Sequence, residues 1–157
     1  MAADGEIYAA DGYGNSCVHR FSAQGDWLQT WGRPGSASGE FSTPHGIWVD
    51  HQNRVLVVDR ENNRVQVFDR EGQYLSEWGD FYHPMAIYQD SAGLFYVTDQ
   101  IPRLSMLNAE GKLLGRCRPV LNVPHGLWGN SCGDLFIAEM NPTRVTKLEL
   151  LDPVNTP

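Results

Sequence analysis

The chain has 157 residues, of which 41% are hydrophobic and 20% charged, and its formal charge at pH 7 is -7. This length suits one domain with a sizeable core, and no apolar run approaches the roughly eighteen residues that a membrane-spanning helix needs. The acidic balance disfavours broad contact with phosphate backbones or anionic lipid, so neither a nucleic acid nor a membrane is expected as a partner.

In chain order, the first β-rich run is Ile7–Asp11, which closes on an acidic residue. A polar turn leads to Cys17–Phe21, and Gly25 punctuates the way to a third run ending at Trp31. The stretch 32–41 is rich in Gly and Ser and reads as a loop. Pro44-His45-Gly46-Ile47-Trp48 opens a second unit, followed by Val55–Asp59, Arg64–Phe68, a turn at Gly72 and a run ending at Trp78. Pro84-Met85-Ala86-Ile87-Tyr88 opens a third, with Phe95–Asp99, Arg103–Leu107 and a turn at Gly111. Pro124-His125-Gly126-Leu127-Trp128 opens a fourth, which continues through 135–139 and 144–148 to Leu150 and Leu151.

These units repeat every 40 residues, at Pro44, Pro84 and Pro124 and again at Asp59, Asp99 and Glu139. The interval from Asp11 to Asp59 is 48, the excess falling in the 32–41 loop. In the last three units an arginine opens the run after the acid (Arg64, Arg103, Arg144), whereas the first unit has Cys17 there. The runs are rich in Val, Ile, Tyr, Phe and Trp, no window sustains helical periodicity, and 16 glycines punctuate the chain. Four short strands in about forty residues are the signature of a propeller blade.

We therefore expect an all-β fold, a β-propeller of four-stranded antiparallel blades. One domain, 1–157, would hold a partial blade at 1–43, blades at 44–83 and 84–123, a partial blade at 124–151 and a tail at 152–157. That is about 3.5 blades, below the four to eight of a closed ring. Either the chain is part of a longer protein, the favoured expectation, or copies associate at open blade edges. The start of the chain has neither a basic leader nor an apolar stretch, so no signal peptide is visible and the compartment stays open. Cys17, Cys117 and Cys132 are odd in number and lack CxxC spacing, against a disulfide framework or cysteine zinc site, although one bridge remains open.

The unit from Pro44 through Asp59-Arg60-Glu61-Asn62-Asn63-Arg64 to Phe68 resembles the NHL repeat, a resemblance that covers nearly the whole chain. A narrower one follows from the order Asp11-Gly12-Tyr13-Gly14-Asn15-Ser16, Pro44-His45, Asp59-Arg60-Glu61-Asn62 and Pro124-His125. That order resembles the peptidyl-α-hydroxyglycine α-amidating lyases, six-bladed propellers that cleave a C–N bond to give a peptide amide and glyoxylate. The resemblance implies a zinc held by three histidines from alternate blades, two of them matching His45 and His125. It also implies that Tyr13 acts on the substrate hydroxyl and that Arg60 lies at the active site, with a small-molecule or peptide substrate in the channel. Gly126 departs from the family, which has there an aspartate linked to structural calcium, so calcium is not expected.

The residues themselves allow the same chemistry. First strands line a propeller's channel, so His45 and His125, two blades apart, would face one axis about 120° apart in a six-bladed ring. Three histidines with an open fourth position suit a catalytic zinc, while two imidazoles alone hold it weakly. Plainer roles stay open: each histidine as a backbone-bonded turn residue, Tyr13 as a turn aromatic, Arg60 as an ion pair with Asp59 or Glu61. Trp31, Trp48, Trp78 and Trp128 read as packing between blades, and His19, His51 and His83 fit no ligand spacing. The competing function is a non-catalytic NHL-repeat scaffold that binds a protein partner.

Overall fold

Fourteen strands form four antiparallel sheets in the computed structural model, which describes residues 1–119 and 121–151; the expected tail at 152–157 lies outside the described residues. The first sheet holds β1 (Ile7–Asp11), β2 (Cys17–Phe21) and β3 (Trp27–Trp31). The second holds β4 (Pro44–Val49), β5 (Val55–Asp59), β6 (Arg64–Phe68) and β7 (Tyr74–Trp78). The third repeats it with β8 (Pro84–Gln89), β9 (Phe95–Asp99), β10 (Arg103–Leu107) and β11 (Leu113–Cys117). The fourth has β12 (Pro124–Gly129), β13 (Leu135–Met140) and β14 (Thr143–Leu148). Strands pair only with their sequence neighbours, as blades require, and among the described residues there is no helix.

Short polar side chains make the turns. Asp50 accepts from the backbone N–H groups of Gln52 and Arg54, Asp90 from that of Leu94, and Asn130 from those of Cys132 and Asp134. A side-chain carbonyl or carboxylate that replaces a backbone acceptor favours a tight turn over a continued strand. The forty-residue spacing of these three residues reproduces the same hairpin in the second, third and fourth blades.

The blades stack face to face. Val55, Val57 and Phe68 of the second sheet pack on Tyr8 and Val18 of the first. The other face of the same sheet, with Leu56, Val58, Val65 and Val67, packs on Ile87, Phe95 and Val97 of the third. All five residues of β5 are buried for this reason, and its sequence VLVVD is apolar without alternation. Tyr88 and Leu104 continue the stack to Leu135 of the fourth sheet.

The 32–41 stretch is a loop tied to the second blade. Phe41 is wholly buried between the first two sheets, Arg64 donates to the carbonyls of Ala37 and Glu40, and Asn62 donates to that of Gly35. The acid at the end of each second strand has a structural role. Asp59, Asp99 and Glu139 stand opposite Arg64, Arg103 and Arg144 in register and bond them at 2.9, 2.5 and 2.7 Å. Buried carboxylates need such a counter-charge, so acid and arginine recur together.

Candidate metal and catalytic site

Pro-His-Gly builds a bulge. In β4, Pro44 pairs with Asp59 and Gly46 with Val58, so His45 is the additional residue between them. The same shift isolates Met85 in β8 and spans His125 in β12. A bulge releases one residue from the ladder and re-aims its side chain, which turns both histidines toward the channel. The residues before the prolines, Thr43, His83 and Val123, have φ of 54°, 46° and 47°, a conformation uncommon for any residue but glycine and most of all for the β-branched Thr43 and Val123. That strain recurs at all three bulges.

The histidine side chains meet. The Nε2 atoms of His45 and His125 are 3.2 Å apart, with ring planes inclined at 80°. The Nδ1 of His45 lies 2.8 Å from the Met85 carbonyl oxygen, which accepts only from a protonated nitrogen. Neutral His45 therefore carries its proton on Nδ1 and directs the Nε2 lone pair at His125. Burial, followed by the nearby charges of His125 and Arg60, pushes the His45 pKa down against the pull of the Met85 hydrogen bond, so the neutral form is favoured. A backbone carbonyl fixing one ring nitrogen while the other faces a cation is the usual outer support of a metal-bound histidine. Two nitrogens on one tetrahedral zinc stand about 3.3 Å apart for bonds of about 2.0–2.1 Å, so this donor pair fits the ion as it stands. The Met85 side chain takes no part: its sulfur is buried and accepts from Gln100.

Tyr13 and Arg60 join the same site. The β1–β2 turn lies against the start of β4, where a Cβ on Gly12 would come 2.2 Å from the Pro44 carbonyl oxygen, so only glycine allows that approach. Tyr13 follows in this turn, its ring centroid 6.0 Å from that of His45. Arg60 Nη1 donates to the Tyr13 hydroxyl at 3.1 Å, with the guanidinium 5.5 Å from the ring centroid. Its ionic partner is Glu61 at 2.8 Å, whereas Asp59 is held by Arg64. All four candidates thus lie in one chain of contacts, His125–His45–Tyr13–Arg60.

A cleft of about 350 Å³ opens along the first strands of three blades, with His45 and His125 at one end and Trp48 and Trp128 in its wall. The reading of Trp48 and Trp128 as blade packing is incomplete. Their rings lie 5.5 Å apart in this wall, Tyr88 joins both, and the Trp48 indole nitrogen is buried with no hydrogen-bond partner among the described residues. Period-forty alignment would have marked them, because each sits three residues after a bulge histidine. Trp31 and Trp78 do pack between blades. His83 pairs with Glu61, and the three cysteines are free, so the bridge left open is not formed. His19, which fits no ligand spacing in the sequence, nevertheless has its Nε2 3.5 Å from both the Cys17 sulfur and an Asp11 oxygen. Cross-strand register brings these three together, and sequence spacing does not display it.

Comparison with known proteins agrees with this architecture. A family model described as a 6-bladed beta-propeller matches residues 1–110. The chain is 30% identical to mouse peptidyl-glycine alpha-amidating monooxygenase over 94% of its own length and 17% of that protein. It is 28% identical to human NHL repeat-containing protein 3 over 91% of its length and 46% of that protein. It thus spans less than half of either relative. The crystal structure of virginiamycin B lyase from Staphylococcus aureus superposes with a TM-score of 0.74 at 16% identity, over 98% of this chain and 55% of that one, a likeness of fold. The match over residues 1–110, the repeated blades and these relatives together make the chain a member of the six-bladed β-propeller family, of the NHL-repeat type that resembles the amidating enzyme.

Proposed function

We propose that these blades supply half of a zinc-dependent lyase site that cleaves a peptidyl-α-hydroxyglycine, or a related small carbinolamide, to an amide and an α-oxo acid. The observation that carries this reading is the convergence of His45 and His125 Nε2 at 3.2 Å beside the Tyr13–Arg60 pair. His45 and His125 would hold the ion, with a further donor from the part of the six-bladed ring beyond these four sheets. A zinc bound there acts as a Lewis acid that acidifies a hydroxyl and polarises oxygen.

The chain's own residues do the rest. The Met85 carbonyl holds His45 in the tautomer that presents its Nε2 lone pair. Tyr13 takes the proton of the substrate hydroxyl, and Arg60 positions the Tyr13 oxygen and offers guanidinium N–H groups to the substrate carboxylate. Loss of that proton as the C–N bond breaks leaves a carbonyl carbon and an amide nitrogen that takes up one proton, so the step balances. Trp48 and Trp128 give the peptide an aromatic wall. Calcium forms no part of the proposal.

The test is incubation of the protein with an α-hydroxyglycine-extended peptide and measurement of glyoxylate. Zinc-dependent release that vanishes in a His45→Ala/His125→Ala variant supports the reading. Release that persists in that variant, or none from zinc-loaded full-length protein, overturns it. The second reading, a non-catalytic NHL-repeat scaffold, is favoured by Gly126, where the resembled lyases carry an aspartate. It takes over if zinc-loaded protein gives no turnover and a protein partner binds the blades.

A further inference from the structure

The first blade breaks the acid–arginine rule that the other three keep. Asp11 stands at the end of β1 as Asp59 and Asp99 do in β5 and β9 and as Glu139, one residue before the end, does in β13, and the residue opposite it in register is Cys17 rather than arginine. Two residues along the same strand, Gln66 and Thr146 donate hydrogen bonds to their acids. His19 takes that place in the first blade. Among the described residues, Asp11 has no lysine or arginine partner, and its ionic contact is His19. The carboxylate that faces a fixed positive charge in the other three blades here faces a thiol and an imidazole. It also accepts from the Asn15 side-chain amide at 2.6 Å on Oδ2 and from the Asn15 backbone N–H on Oδ1, which leaves Oδ2 a further lone pair.

We infer that Asp11, Cys17 and His19 form a second metal site, for one divalent ion of zinc type, in which the ion replaces the guanidinium of the other blades. The donors are already in place. Sγ of Cys17 lies 3.5 Å from Nε2 of His19, which is 3.5 Å from Oδ2 of Asp11, and the three donor atoms all fall within 4.8 Å of one another. Around tetrahedral zinc, sulfur and nitrogen donors stand about 3.6 Å apart and nitrogen and oxygen about 3.4 Å. Nδ1 of His19 is held 2.7 Å from Thr30 Oγ1, which also accepts from the Trp27 indole, so Nε2 faces the other two donors.

Chemistry and access agree. Soft sulfur, imidazole and one carboxylate select zinc-type transition ions over calcium or magnesium. Binding exchanges the thiol proton for the metal and releases it to solvent. Thiolate, carboxylate and divalent ion then sum to zero charge, like Asp59 with Arg64. Cys17 is buried, while the side chains of His19 and Asp11 keep 28% and 31% exposure and leave a way in. None of the three lines the His45–His125 cleft.

Cobalt(II) is the probe, because a thiolate ligand gives it a near-ultraviolet charge-transfer band that an all-histidine site lacks. In a Cys117→Ser/Cys132→Ser background the band should appear and saturate at one cobalt per chain. It should persist in the His45→Ala/His125→Ala variant, which separates this site from the proposed catalytic one. Cys17→Ser should abolish it, and Cys17→Ser and His19→Gln should each weaken binding by at least the factor of about 10–100 that loss of a mere outer-shell partner costs. Should Cys17→Ser fail to fold, Cys17→Arg restores the acid–arginine pair of the other blades and should fold without the band. Absence of a band in the parent, or its survival in either Cys17 variant, overturns the inference.

Discussion

Gly111→Ala probes how one blade registers on the next. Gly111 has φ +78°, and a Cβ there would lie 2.2 Å from Trp78 Cδ1 and 2.3 Å from its Cγ and Nε1. Those atoms belong to a rigid ring, 5% exposed and edge-on to Phe95 at 5.1 Å, so the indole cannot yield without repacking. Left-handed backbone costs alanine about 1–2 kcal/mol, and overpacking adds about 1–3 kcal/mol, for a total of about 2–5 kcal/mol. Gly25 is the internal control: it holds the equivalent turn at φ +92° with nothing within 4 Å, so Gly25→Ala incurs the backbone cost alone. The two variants should differ by about 1–3 kcal/mol, or about 1 M in urea midpoint at unchanged slope. Urea unfolding followed by both fluorescence and far-ultraviolet circular dichroism measures this. Equal losses would refute the claim that Trp78 packs on the glycine of the next blade.

Other consequences are open to measurement. Phe41→Ala, in the loop tied to the second blade, should cost about 3–5 kcal/mol despite its irregular backbone; a loss typical of an exposed loop would contradict the packing described. The Arg20 guanidinium holds Glu6, and that of Arg144 holds Glu139, each at a pKa of about 2, against 4.5 in the unfolded chain. A depressed folded value stabilises the fold above the unfolded pKa, and that stability is lost as pH falls from about 4.5 toward 2. Urea midpoints should fall through that window, less steeply in Glu139→Gln, and parallel pH profiles for the two proteins would count against it. Tyr13 is 78% exposed, so Tyr13→Phe should leave stability and zinc content unchanged while lowering proposed lyase turnover by about 10²–10⁴-fold. Unaltered turnover would remove Tyr13 from the chemistry.

Much of the architecture was legible because a propeller writes its period into the chain. The spacing of Pro44, Pro84 and Pro124 marked the first strands, and Asp59, Asp99 and Glu139 marked the second. Gly25, Gly72 and Gly111 marked the turns to the outer strands, whereas the hairpin role of Asp50 and Asn130 emerged only from their hydrogen bonds. Cross-strand and cross-blade facts were hidden. That His45 is a bulge residue depends on pairing with Val58 and Asp59, and no single strand displays it. The acid–arginine pairs were visible as a recurrence without a cause until register put each arginine opposite its acid. Cys17 was visible as the exception, but its company with His19 and Asp11 arises only when β1 and β2 pair. Stretch 32–41 read as a loop, and only packing around Phe41 made it part of the core.

The central claim is that His45 and His125 form a metal-binding pair. It is tested most directly by zinc content after dialysis of the full-length protein and its His45→Ala/His125→Ala variant, both in a Cys17→Arg background that removes the second site. The account predicts close to one zinc per chain in the first and none in the second, with unchanged circular dichroism. Equal zinc in both would contradict it.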